Sequence, residues 1–304
     1  MPDTSAASSG AATSAPPTLR GRARIAIVGN CQARPLGAVL ALLSPELEII
    51  EPVIVHLAKP ADEAKANERL AGADIVLAQL VADNYPVPFV RLNALRERLG
   101  DKVVPWVNLY WRGRNPELVY KRELAGRAEF PLVSYHLEPV HEGWRDGLDA
   151  AEIAARLADP DLARLRYGGT AEASLAELRS REAGTPVPIT DVIEERAATD
   201  DLFHVFNHPT TDLLGEYARR LLRALGLPCG RVLRGAGWEP LGAYGLPPSP
   251  ASALPPWPAR TYRVPRRPGP FRLMTEVEIV EGYLAAYDVA HGEGGKGGAG
   301  TGGA

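Results

Sequence analysis

Cysteine is scarce: Cys31 and Cys229 are the only two thiols in 304 residues. A pair so far apart in sequence supplies neither a disulfide framework nor a zinc-type Cys/His spacing, and no metal is expected. Charge of one sign is not in excess either, because 34 basic residues stand against 37 acidic ones, for a net charge of −3. That balance excludes the basic footprint of a nucleic-acid binder. Long hydrophobic runs are missing as well. Nothing approaches the roughly 20 apolar residues needed to cross a bilayer, so no transmembrane segment is expected and the cytoplasm is the expected compartment. Three common motifs are absent. Gly29-Asn30-Cys31-Gln32-Ala33-Arg34 lacks the glycines of G-x-G-x-x-G, and there is neither a G-x-x-x-x-G-K-S/T phosphate loop nor an H-E-x-x-H metal helix.

What is present fits a globular chain with a sizeable core, at 45% hydrophobic and 23% charged residues. Residues 1–23 begin with an Ala/Ser/Thr/Pro-rich leader that lacks the basic start and apolar block of a signal peptide and reads as disordered. From Arg24 the pattern alternates. Strands are expected at Arg24 to Val28, Leu47 to Val55, Ala73 to Leu80 and Lys102 to Leu109, with helices at Ala33 to Leu43, Ala61 to Leu70 and Phe89 to Leu99. This β-α-β-α rhythm predicts an α/β fold with a parallel sheet and flanking helices. A helical insertion is expected over about 138–196, packed against the sheet, within a main domain spanning 24–245. A short apolar segment, Asp201 to Phe206, leads to an amphipathic helix from Thr211 to Leu225. Arg231 to Leu241 reads as strand or loop. Prolines then crowd Leu246 to Pro270, which predicts an extended arm, followed by a last helix over Thr275 to Ala290. The glycine-rich tail, within 291–304, should be disordered. No internal repeat is found.

Ligands of parallel α/β sheets bind outside the carboxyl ends of the strands. Asn30-Cys31-Gln32 lies at such an end, where the first strand hands over to a helix, and Gly29 allows the turn without a Cβ. The N–H groups and partial positive charge of a helix start can lower a cysteine pKa from about 8.5 to roughly 3.5–7.5. Cys31 is therefore either a nucleophile or a buried structural residue. The amides of Asn30 and Gln32 are candidate donors to an anionic intermediate. His208, held before Pro209, is a candidate base for the thiol. His204 is a second candidate, in an Asp201-x-x-His204 spacing. Each also reads as an ordinary capping or core histidine. Gln79, Asp83, Asn84 and Tyr85 follow the third strand and either orient a substrate hydroxyl or simply form a turn. Trp111, Arg112 and Arg114 follow the fourth strand. They suit a nucleotide-bearing cofactor, or form a solvated basic loop.

The strand plus Gly29-Asn30-Cys31-Gln32-Ala33, the segment Gln79 with Asp83-Asn84-Tyr85-Pro86, and Phe206-Asn207-His208-Pro209 before a helix ending in Leu225-Gly226 together resemble the WcbI-type polysaccharide biosynthesis acetyltransferases, over about Arg24 to Leu227. The resemblance implies a coenzyme A-dependent transfer of an acetyl group from acetyl-CoA to a hydroxyl of a capsular or other surface polysaccharide precursor. It also implies a three-layer fold and a site laid out as in SGNH-type esterases, with cysteine in place of serine. Carried over, Cys31 is the nucleophile and His208 the base, with His204 second; Asn30, Gln32 and Gln79 are polar supports. Trp111, Arg112 and Arg114 match no family motif closely and stand as coenzyme-contact candidates. The alternatives are a carbohydrate acyl esterase using the same residues with water, and a non-catalytic carbohydrate- or nucleotide-binding module. The oligomeric state and the acceptor sugar are not encoded in any motif.

Overall fold

A computed structural model of the chain describes residues 22–230, 238–265 and 271–292. The leader up to residue 21, the first part of the Arg231 to Leu241 segment, residues 266–270 of the arm and the tail from residue 293 lie outside these.

The chain opens with strand β1 (Arg24–Gly29) and helix α1 (Ala33–Leu43), as the apolar run and the i, i+3, i+4 spacing of Leu36, Val39, Leu40 and Leu43 require. Strands β2 (Glu48–Ile49) and β3 (Val53–Ile54) follow, then α2 (Glu63–Ala71), β4 (Ile75–Gln79), α3 (Leu92–Leu99) and β5 (Val103–Trp106). The strands run parallel in the order β2-β1-β4-β5, with β3 also paired to β1. One strand was expected over Leu47 to Val55, and two are found. They add to opposite ends of β1, Arg24 facing Glu48 and Gly29 facing Ile54. Pro52 lies in the break, where it has no N–H for the ladder and restricts the residue before it.

Residues of β1 alternate between two cores. Ile25 and Ile27 pack with Leu36 and Leu40 of α1, while Ala26 and Val28 pack with Ala66 and Leu70 of α2 and Leu95 of α3. Both faces of the sheet are thus covered, which explains why the strands read as continuous apolar runs rather than alternating ones. Each buried Leu, Ile or Val side chain contributes about 1.5–3 kcal/mol relative to exposure.

Beyond the sheet a short hairpin, β6 (Leu118–Tyr120) with β7 (Tyr135–Leu137), precedes helices α4 (Glu138–Arg145), α5 (Ala150–Ala158), α6 (Pro160–Tyr167), α7 (Thr170–Glu182) and α8 (Thr190–Arg196). Capping fixes several starts: Asp149 and Glu152 form a reciprocal capping box on α5, and Asp159 caps α6. The expected insertion divides its loyalty. Leu178, Ile189, Val192 and Ile193 join the sheet core, whereas Val140, Trp144, Ile153 and Leu157 build a separate core.

A tight hairpin of β8 (Phe203–Val205) and β9 (His208–Pro209) leads into α9 (Thr211–Ala224), capped by the Thr210 hydroxyl. Its Leu213, Leu214, Tyr217 and Leu221 lie on the α1 side of the sheet. The proline-rich stretch has no regular structure from Leu246 to Arg260, as expected. A proline-free tetrapeptide within it nevertheless forms β10 (Thr261–Val264), antiparallel to β11 (Arg272–Thr275), with Tyr262 and Val264 turned inward. Helix α10 (Glu276–His291) then contributes Ile279, Val280, Tyr283 and Tyr287 to the second core. The arm therefore closes a core in addition to crossing the surface.

Candidate functional site

The turn between β1 and α1 is built from its neighbours. Gly29 does not take a left-handed φ; its need for glycine comes from packing, because a Cβ there would stand 2.4 Å from the Trp106 ring and 3.2 Å from Gln79 Oε1. Gln79 Oε1 accepts the Asn30 N–H at 2.7 Å, and Asn30 Oδ1 accepts the Gln32 N–H at 3.0 Å. This Asx-type bond shapes the chain for helix entry. Cys31 is left half-buried at the apex.

Gln32 has a different role from the donor expected of it. Its side chain is buried and fully used: Nε2 donates to the carbonyls of Leu109 and Asn207, both at 2.7 Å, while Oε1 accepts from Leu109 N–H at 2.9 Å. No N–H remains on that amide for an intermediate. It clamps the post-β5 strand end and the residue before His208 to the cysteine turn.

The clamp and the β8–β9 hairpin bring His208 to the thiol, with Nε2 at 3.7 Å from Cys31 Sγ. Nε2 also lies 3.4 Å from the Tyr135 hydroxyl. Tyr135 donates to Asn207 Oδ1 at 2.7 Å, Asn207 Nδ2 donates to the Tyr120 hydroxyl at 2.5 Å, and Tyr120 donates to the Tyr135 oxygen at 3.3 Å. This closed ring of three bonds holds Asn207, and through it His208. Phe206 fills the space behind, its ring centroid 5.0 Å from that of Tyr120 and 5.4 Å from that of Tyr135. Tyr120 and Tyr135 were not anticipated. Their hairpin strands are three residues long, too short for a periodic signal.

Electrostatics also differ from the lowered thiol pKa expected at a helix start. Burial pushes the Cys31 thiol up, and the backbone N–H groups of Cys31 and Gln32 pull it part of the way back. Burial lowers His208 to about 4, opposed in part by the Leu241 backbone and reinforced by His204. Nδ1 of His208 makes no well-formed hydrogen bond among the described residues. At neutral pH the pair is a neutral thiol beside a neutral imidazole. With the imidazole proton on Nδ1, Nε2 faces the S–H as an acceptor.

Other expected site residues lie elsewhere. His204 pairs with Glu239 at 3.0 Å, and Glu239 also accepts the Thr211 N–H at the start of α9. Asp201 does not orient His204; it forms an ion pair with the buried Arg114 guanidinium, whose Nη1 also donates to Asn115 at 2.8 Å. Trp111 is buried, with Nε1 donating to the Ala171 carbonyl and its ring against Phe203. Arg114 and Trp111 are thus committed to the interior. Asn84 is exposed, and Tyr85 donates to the Val55 carbonyl at 3.1 Å, bracing the end of β3 against the loop after β4. Arg112 is half-buried, with Nη2 on the Pro116 carbonyl and its backbone N–H on Ser174 Oγ.

Two clefts open on the described surface, neither of them lined by Cys31 or His208. One, of about 200 Å³, lies by the end of β3 and is lined by Arg34, Ile54, Leu57, Lys65 and Arg69. Another, of about 460 Å³, includes Tyr110, Arg112, Thr170, Ser174 and Glu177. Among the described residues no cluster of His, Cys, Asp and Glu suited to a metal occurs, and no helix is long and apolar enough to cross a membrane.

Comparison with curated proteins gives no match. A solved structure described as WcbI, a novel polysaccharide biosynthesis enzyme, in its native form without a disulfide bond between coenzyme A and one of its cysteines, matches with a TM-score of 0.69 and 20% identity. The match covers 88% of this chain and 94% of that one, and shows a shared fold. The sequence profile of the polysaccharide biosynthesis enzyme WcbI matches residues 24–229, from β1 through the end of α9, taking in both Cys31 and His208. The chain belongs to the WcbI family of polysaccharide biosynthesis enzymes.

Proposed function

We propose that the protein transfers an acetyl group from acetyl-CoA to a hydroxyl of a surface or capsular polysaccharide precursor, with Cys31 as nucleophile and His208 as base. The observation that carries this reading is the 3.7 Å approach of Cys31 Sγ and His208 Nε2 at the carboxyl end of β1. The solved relative, described as native protein without a disulfide bond between coenzyme A and one of its cysteines, supports coenzyme A as the ligand in this reading.

Because the resting pair is neutral, the thiol proton moves to Nε2 as sulfur attacks the thioester carbonyl. In this scheme the N–H of Cys31 donates to the oxyanion that forms beside it. Collapse of the tetrahedral intermediate breaks the C–S bond to coenzyme A, and the imidazolium returns its proton to the departing thiolate. The acceptor hydroxyl then gives its proton to Nε2 and attacks the acetyl-cysteine, and the Cys31 thiolate recovers that proton. Base assistance of this type contributes about 10²–10⁴-fold.

Intact-mass measurement after incubation with acetyl-CoA tests the scheme. An acetyl adduct on the wild type that disappears in Cys31→Ala is expected; full transfer activity in Cys31→Ala would overturn it. Release of acetate from an acetylated sugar without coenzyme would instead assign the same residues to an esterase.

A further inference from the structure

The two ring nitrogens of His208 have unlike surroundings. Nε2 is turned to Cys31 Sγ and the Tyr135 hydroxyl, whereas Nδ1 is buried and makes no well-formed hydrogen bond among the described residues. A base of this kind needs a third group to orient it, and without an acceptor at Nδ1 the proton is free to sit on Nε2 and leave the thiol unserved. The segment from Trp238 to Gly245 packs against the imidazole. The Tyr244 ring centroid lies 6.0 Å from that of His208 and 5.2 Å from that of Tyr135. The Leu241 main chain acts on His208 against burial, raising its pKa. A carbonyl has that effect, because it accepts from the N–H of the charged ring; an amide N–H would act the other way.

This segment is anchored at both ends. Gly242 N–H donates to the Glu239 carbonyl at 2.9 Å, closing a β-turn with Pro240 and Leu241 as its central residues. A Cβ at Gly242 would stand 2.8 Å from Glu239 Cβ and 3.3 Å from His204 Cε1, so the turn lies directly on His204. Glu239 Oε2 fastens it there: it pairs with His204 Nε2 at 3.0 Å and accepts from the Thr211 N–H at 2.9 Å and the Thr211 hydroxyl at 3.1 Å. At the other end Gly245 and Arg263 exchange two backbone bonds, at 3.0 and 2.7 Å, and Arg263 Nη2 donates to the Gly242 carbonyl at 2.8 Å.

We propose that the Leu241 carbonyl accepts the Nδ1 proton of His208 and so orients the base, and that Glu239 is the positioning residue that holds this carbonyl in place. His204 then serves the site through Glu239. A neutral carbonyl fixes the tautomer without placing a negative charge beside the ring. The inference deepens the acyl-transfer reading and rests on it for the role of His208 as base, whereas the tautomer itself can be observed without turnover.

Long-range proton–nitrogen NMR correlation on the full chain with 15N-labelled histidine, at pH 7, reads that tautomer, with His208 assigned by its loss in His208→Gln. The wild type should carry the proton on Nδ1; a dominant Nε2–H form overturns the proposal. In Glu239→Ala a measurable share of His208 should pass to the Nε2–H form and kcat should fall about tenfold, as for one lost hydrogen bond, with KM for acetyl-CoA within about twofold. Glu239→Gln, which keeps an oxygen for Thr211, should retain the wild-type tautomer and rate. An unchanged tautomer in Glu239→Ala overturns the positioning role. Thermal melting checks folding, and Thr211→Ala, which removes only the hydroxyl bonds to Glu239 and the Trp238 carbonyl, carries the test if Glu239→Ala does not fold; it should shift the tautomer in the same direction, and no shift overturns the role equally. A wild type with the Nδ1–H form but no acyl transfer removes the acyl-transfer reading and leaves the Leu241 assignment standing.

Discussion

Cys31 and His208 meet at 3.7 Å, yet what holds each is unlike. The cysteine half is local: a strand, a turn fastened by Asn30 and Gln79, and a helix, all packed on the sheet. The histidine half is assembled at long range. His208 follows 177 residues after Cys31 and is fixed by a hydroxyl ring from the β6–β7 hairpin, by Phe206 and by the Gln32 clamp. The first half is supported by regular structure, the second by polar bonds among buried aromatic rings. Polar networks of that kind depend on each member being satisfied, so the histidine half should be the more sensitive to single-atom changes.

The largest expected effect tests the histidine half. His208→Gln should lower transfer activity by about 10²–10⁴-fold with little change in melting temperature; an activity within a factor of two of wild type would remove His208 as the base. The same residue sets the acid limb of the rate profile. The transfer needs neutral imidazole, and burial holds His208 at about 4. Activity should therefore persist through pH 6 and fall only as pH drops toward 4. An acid limb near the ordinary histidine value of about 6.5 would contradict this environment.

The cysteine half breaks through packing instead. Gly29→Ala places a methyl group 2.4 Å from the Trp106 ring, and this overpacking should cost about 1–3 kcal/mol in urea unfolding. An unchanged midpoint would mean that Trp106 yields freely.

Tyr135→Phe sharpens the comparison with less force. It removes the bond to Asn207 Oδ1 and leaves that buried acceptor unmet, which should reduce transfer about tenfold, through loss of about 1–1.5 kcal/mol, while cysteine alkylation rates stay unchanged. Equal effects on both readouts would show that the halves are one unit.

The smallest effect concerns the core beneath the histidine half. Glu117 is buried, with one carboxylate oxygen unpartnered, and burial raises its pKa. A folded-state pKa above the unfolded one means that its favourable contribution is present at low pH and lost as pH rises. Glu117→Gln should therefore stabilise the protein at pH 7 by on the order of 1 kcal/mol and have no such effect at pH 4, as read by thermal melting.

These differences also govern what could be read from the residues in order. β1, α1, β4 and α9 appear in the sequence close to where the fold has them, because long apolar or 3.6-residue patterns report burial directly. Cys31 stood out for the same local reason. The choice between His204 and His208 did not, since strand alternation in a three-residue β8 leaves direction open and only the packed hairpin turns one ring to the thiol and the other to Glu239. Trp111 and Arg114 looked like loop residues ready for a ligand, but Gly113 lets the chain fold against Trp111, and Asp201 reaches Arg114 from 87 residues away.

By itself, then, the sequence determined the parallel α/β framework and the place of the thiol, because both follow from neighbours within one turn or one strand. Tertiary structure alone decided which histidine faces the sulfur, which amides are already occupied, and that burial rather than the helix end governs the resting charge of the pair. Those properties arise from groups that meet only after the two cores close, where desolvation and long-range hydrogen bonds outweigh local preference.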